Sequence, residues 1–157
     1  MGTAGCLPDD FTAGDLKIGI VAARYNDNIV AGLIEGAKSA WRKRGGSDSA
    51  VSLERVPGAF ELPLAARALA RSGGIDAVVA LGCVIRGETA HFDFIAAECA
   101  HGLQRVMLDT GVPISFGVLT VDTLAQALQR AAADSSNKGS EALETALAMA
   151  SLLRRLK

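Results

Sequence analysis

The chain has 157 residues, half of them hydrophobic, with aromatics at only 4% and a formal net charge of -1. That length holds one domain with one core, built mainly from Ala, Val, Leu and Ile, and its apolar surplus predicts a homo-oligomer. The 16 basic residues form no stripe, Cys6, Cys83 and Cys99 show neither disulfide nor zinc spacing, and no apolar run nears membrane-helix length, so a cytoplasmic protein without nucleic-acid or membrane partners is expected.

Met1 to Asp15 has no periodicity and reads as a flexible arm able to pair with a neighbour, and Asp9 and Asp10 stand where a signal peptide would be basic. Lys17 to Ala23 predicts a strand, and Ile29 to Arg44 a helix through Ile29, Leu33, Ala37 and Trp41. Gly45 and Gly46 stop it. Ala50 to Val56 alternates as a strand, Pro57-Gly58 breaks it, and a helix over about Glu61 to Arg71 tolerates Pro63 in its first turn. Asp76 to Leu81 reads as a buried strand, followed by a turn through Gly87 and a long helix over Phe92 to Asp109 with Ile95, Cys99, Leu103 and Val106 inward. Pro113 to Leu119 is the fourth strand. Two helices follow, over Leu124 to Ala133 and Ser140 to Leu156, with a break at Asn137-Lys138-Gly139.

Strands alternating with helices predict an α/β domain over residues 16–157, a three-layer flavodoxin-like fold with a four-stranded parallel sheet covered on both faces. Ligands in such folds bind beyond the carboxyl ends of the strands, which directs attention to Tyr25-Asn26, Gly58 to Glu61 and Val84 to His91.

In Gly82 to His91 a glycine-containing turn runs from strand into helix, offering backbone N–H groups and the Thr89 hydroxyl to a phosphate. An ordinary loop with a capping threonine accounts for the same residues. Neither a Walker lysine nor a dinucleotide fingerprint is present. His91 at a helix start suits a proton carrier, although a solvated surface histidine is the plainer reading, and neither it nor His101 has partners spaced for zinc. Glu61 could accept hydrogen bonds from a polyol or simply favour a helix N-terminus. Tyr25 could stack on a planar ring, and Arg130 and Lys138 could bind an anion.

Val56-Pro57-Gly58-Ala59-Phe60-Glu61, Val84-Ile85-Arg86-Gly87-Glu88-Thr89 with His91-Phe92, and Asn137-Lys138-Gly139 stand in an order and spacing that resembles the lumazine synthase family from about Leu16 to the C-terminus. The resemblance implies a flavodoxin-like subunit with no metal and no cofactor. It implies a transferase of riboflavin biosynthesis that condenses 5-amino-6-(D-ribitylamino)uracil with 3,4-dihydroxy-2-butanone 4-phosphate to 6,7-dimethyl-8-ribityllumazine. By the same resemblance Tyr25 stacks on the pyrimidine with Asn26 beside it, and Ala59, Phe60 and Glu61 hold the ribityl chain. Cys83, Val84 and Ile85 line the ring pocket, and Glu88 and Thr89 receive the phosphorylated ketone. His91 transfers protons, while Arg130, with Lys138, grips phosphate; Phe116 and Arg130 enter from a neighbouring subunit.

Three departures from the family pattern stand out. Tyr25 replaces the usual phenylalanine or tryptophan, Val121-Asp122-Thr123 replaces a run ending in Glu-Asn, and Ala131 to Ser136 lacks a common Gly-Thr-Lys-Ala-Gly. The last two bear on assembly: the resemblance implies a homopentamer, and the glycine-free Ala131 to Ser136 predicts that it does not close into an icosahedral shell. The competing expectation is a non-catalytic flavin or lumazine binder, or a shell-forming protein, on the same scaffold.

Overall fold

The computed structural model describes residues 11–157. Four strands, β1 (Ile18–Ala23), β2 (Val51–Val56), β3 (Ala77–Ile85) and β4 (Ile114–Val121), form one sheet in the order β2-β1-β3-β4. All three pairings are parallel, with Ile18 opposite both Val51 and Ala77, and Val78 opposite Ile114. Five helices connect and follow them: α1 (Asp27–Lys43), α2 (Leu62–Arg71), α3 (His91–Thr110), α4 (Leu124–Arg130) and α5 (Lys138–Leu156).

The central strands β1 and β3 are nearly continuous apolar runs because both their faces are covered. Ile18, Ile20 and Ala22 of β1 join Val79 and Leu81 of β3 in a core with Leu33, Ala37 and Trp41 of α1 and Leu143 and Leu147 of α5. Val21, Val78 and Ala80 point the other way, into a second core with Leu62 and Ala66 of α2 and Cys99 and Leu103 of α3. This alternation in the central strands produces the three-layer, flavodoxin-like α/β architecture expected from the sequence.

Several boundaries differ from expectation. β3 runs on to Ile85, because Cys83, Val84 and Ile85 continue the ladder opposite Leu119, Thr120 and Val121 of β4. Asn137-Lys138-Gly139 is the beginning of α5, not a break: the Asn137 side chain accepts the N–H groups of Gly139 and Ser140 and caps the helix. α4 stops at Arg130 instead of Ala133, and the Asn137 amide takes the carbonyls of Ala131 and Ala132.

Most of the stretch read as a flexible arm lies outside the described residues. Its described part, 11–15, is docked: Phe11 is buried under the Arg44 guanidinium, 4.3 Å from its ring centre, Ala13 donates its N–H to Arg44 O, and Asp15 pairs with Arg154 at 2.7 Å. One aromatic anchor among glycines and polar residues has no periodicity to reveal it. Arg154 also reaches Asp76, whose carboxylate accepts the Lys17 N–H, so the end of α5 closes over the entry to β1 and β3.

Candidate active site

β1, β2 and β3 each end on a loop that carries unusual residues, and backbone bonds hold the three loops together. Arg24 N–H donates to Val56 O and Tyr25 N–H to Pro57 O, extending the β1–β2 pairing past both strand ends. Asn26 then takes a left-handed conformation, φ 57°, which asparagine tolerates better than most residues. Its side-chain amide donates to Cys83 O at 2.9 Å, so the exits of β1 and β3 are tied directly, while its own carbonyl accepts the N–H groups of Ile29 and Val30 in the first turn of α1.

After β2, Pro57 and Gly58 lead into a single 3-10 turn over Ala59–Glu61. Glu61 folds back so that Oε2 accepts the Gly58 N–H at 2.9 Å, closing the turn. That contact fixes the carboxylate while engaging one of its two oxygens. Ala59 is buried and Phe60 exposed. Arg55 holds the adjacent edge, donating to Ala23 O and pairing with Asp27 at the start of α1.

After β3, residues 86–90 form an irregular turn into α3. His91 is the first helical residue, exposed, with its N–H directed at the Thr89 hydroxyl at 3.4 Å. A histidine held this way has its backbone engaged and its ring open to a ligand.

These loops enclose one cleft of about 680 Å³, within the range of small-molecule sites. Tyr25, Asn26, Ala59, Phe60, Glu61, Cys83, Val84, Ile85, Thr89 and His91, all singled out in the sequence, line it. Gly58 and Gly87, within the segments marked in the sequence, line it too, as do Phe92 and Ile95, which were missed as site residues. Ile95 was read as purely inward, although its position four residues after His91 puts it on the same helix face. Glu88 lies in the turn but not on the cleft wall. Cys83 is a neutral part of that wall, because burial pushes its thiol up to about 11.

Phe116, Arg130 and Lys138 are elsewhere. They line a second, shallower cleft along β4 with Glu141 and Thr145, and Ser115, whose buried hydroxyl has no hydrogen-bond partner, belongs to the same cleft. Lys138 pairs with Glu141 at 2.6 Å, and Arg130 donates to Gln126 O. The described residues thus place these groups in two separate recesses, one with an aromatic rim and a histidine, the other with two cations. Tyr25 at 74% and Phe60 at 57% exposure leave the first recess open on its rim. Among the described residues no His, Cys, Asp or Glu cluster could hold a metal ion, and no helix is long and apolar enough to cross a membrane.

The family model for 6,7-dimethyl-8-ribityllumazine synthase matches residues 15–154. A Halorhodospira halophila protein named 6,7-dimethyl-8-ribityllumazine synthase is 50% identical over 143 residues, covering 91% of this chain and 92% of that protein. Proteins of the same name from Chlorobium limicola and Chlorobium phaeovibrioides are each 48% identical, covering 95% and 93% of this chain and 96% and 94% of their own lengths.

Proposed function

The chain belongs to the 6,7-dimethyl-8-ribityllumazine synthase family, and we propose that it condenses 5-amino-6-(D-ribitylamino)uracil with 3,4-dihydroxy-2-butanone 4-phosphate at a site completed by a neighbouring subunit. The observation that carries the reading is the convergence of Tyr25, Glu61, Thr89 and His91, from three different loops, on one cleft of fitting size.

In this reading the pyrimidine lies against Tyr25, between the walls formed by Cys83, Val84 and Ile85. The ribityl hydroxyls meet the backbone of Ala59 and Phe60 and the second oxygen of Glu61. The phosphorylated ketone occupies the turn at Glu88 and Thr89. Its phosphate is gripped by Arg130, with Lys138 beside it, and Phe116 covers the ring, these three supplied by the next chain.

The uracil's amine attacks the ketone carbonyl, and loss of water gives an imine. Removal of the proton from the butanone carbon between the imine and the phosphate-bearing carbon expels inorganic phosphate and leaves an enol. The enol takes up a proton to become a ketone, and the second amine attacks that carbonyl and closes the ring with loss of another water. His91, open to the cleft at the head of α3, carries protons between these steps. Most of the acceleration comes from holding two reactants in register, which can supply about 7–11 kcal/mol of the barrier.

The assembly is a homopentamer whose head-to-tail contacts set the β4 cleft of one subunit against the open rim of the next. Mixing purified protein with both substrates and following lumazine absorbance tests the reading. Product should appear in proportion to enzyme; none appearing from correctly assembled protein overturns it in favour of a non-catalytic binder.

A further inference from the structure

The turn at residues 86–90 has little internal structure to hold it. Its own contacts are the Thr89–His91 bond at 3.4 Å and the Asp93 N–H to Ala90 O bond that opens α3. A Cβ added at Gly87 would meet nothing within 4 Å, so packing does not fix the loop there either. Yet His91 must be held steadily if it is to serve reacting atoms.

The fixing contacts come from Arg86. Its N–H donates to Val121 O at 2.9 Å, adding one rung beyond the end of β3. Its guanidinium reaches Asp122 through Nε at 3.0 Å and Asp93 through Nη1 at 3.1 Å. The same group lies 4.2 Å from the ring centre of Phe92. One side chain thus joins the β4–α4 junction to the first turn of α3, gripping the two residues that follow His91. Phe92 is itself buried and lines the cleft, so the ring that Arg86 covers is part of the site wall.

We propose that Arg86 is a positioning residue: it sets the orientation of the first turn of α3, and through Phe92 and Asp93 the place of His91 in the cleft. The inference rests on His91 acting as the proton carrier. A planar guanidinium can lie on a ring while its edge N–H groups meet two carboxylates, whereas a lysine ammonium offers a point charge without that geometry. The ion pairs are partly exposed and contribute little to stability. Their value is angular, since a shift of about 1 Å in a reacting group can cost on the order of a hundredfold in rate.

The test is lumazine formation by the wild type, Arg86→Gln, Arg86→Lys and Asp122→Asn, each also in a His91→Ala background, with amide hydrogen exchange over residues 86–95. Arg86→Gln should lower kcat roughly tenfold and move KM for the uracil less than about twofold. Arg86→Lys should recover only part of that loss. In the His91→Ala background the same changes should cost less than about twofold, because nothing remains to be positioned. Exchange over the turn should quicken. Effects that multiply across the two backgrounds, a raised KM with kcat intact, or unchanged exchange would overturn the inference. Should Arg86→Gln fail to fold, the exposed Asp122→Asn decides by the same pattern. An inactive wild type overturns the proposed activity and this inference with it; an active wild type with multiplicative effects overturns this inference alone.

Discussion

His91 stands at the start of α3 with its ring exposed to the cleft, so its removal leaves both binding surfaces in place. His91→Ala is expected to lower kcat by roughly one to two orders of magnitude, toward the low end for a lost proton carrier, because positioning survives. Steady-state lumazine formation measures this, and complete loss in a correctly assembled variant contradicts it. The buried thiols make a different prediction. Burial raises Cys83 to about 11 and Cys99 to about 12 from an ordinary value of 9.0. Between those limits the folded chain keeps protons that the unfolded chain has lost, so this stability is fully present below about pH 9 and declines as pH rises. Each thiol contributes a slope of about 1.4 kcal/mol per pH unit. Denaturant midpoints between pH 8 and 10.5 should fall less steeply in Cys99→Ala than in the wild type; parallel slopes count against the thiol. Much of the site was legible because its residues follow strand ends, where short motifs keep their spacing. Phe92 and Ile95 were not, since an apolar residue on a helix reads as core until the cleft beside it is seen.

At the scale of elements, the contact between α1 and α5 depends on one buried asparagine and on glycines. The Asn137 amide donates to Gly32 O at 3.1 Å, Ala131 O at 3.2 Å and Ala132 O at 2.9 Å, while its oxygen accepts from Gly139 at 2.9 Å and Ser140 at 3.1 Å. A Cβ on Gly139 would sit 1.9 Å from Leu33 O, and one on Gly36 would sit 2.0 Å from the Asn137 side-chain oxygen. The two helices therefore touch through backbone, with Asn137 filling the gap. Asn137→Ala strands several polar groups at once and should cost about 3 kcal/mol or more, read as a lower urea midpoint. A loss below about 1 kcal/mol would show that water replaces the amide. The helices themselves were legible: Ile29, Leu33, Ala37 and Trp41, picked out by period, are all buried in α1. The ends were not, because they are decided by distant partners. Ala131 to Ala133 are good helix formers, but two of their carbonyls go to Asn137 instead of prolonging α4, and the last rungs of β3 depend on β4, about thirty-six residues away by the pairing of Ile85 with Val121.

Across the whole molecule, the sheet ends on β4, whose Phe116 is 47% exposed beside the cationic cleft, while Tyr25 and Phe60 rim the other cleft uncovered. In the proposed assembly the two recesses meet in a heterologous contact, and such contacts close into a ring when the rotation permits. Whether rings then join depends on other surfaces, among them the link between α4 and α5. Family members that carry glycines in this link have access to positive φ. Here residues 131–136 contain none, and all keep negative φ, as Asn26 is the one non-glycine residue with positive φ among those described. The link is also tied from within: Asp134 accepts the Ser136 N–H at 2.8 Å, and the Ser136 hydroxyl donates to Gln129 O at 3.1 Å. A link held in this compact form is not expected to reproduce a glycine turn between rings, so the protein is expected to stop at the pentamer. Light scattering with native mass spectrometry on the active protein measures the assembly. An icosahedral particle would sink the claim that the link limits growth, and a monomer making lumazine at full rate would sink the shared site as well. Inserting the family's Gly-Thr-Lys-Ala-Gly in place of residues 132–136 separates the two causes, since larger particles should appear only if this link was the obstacle.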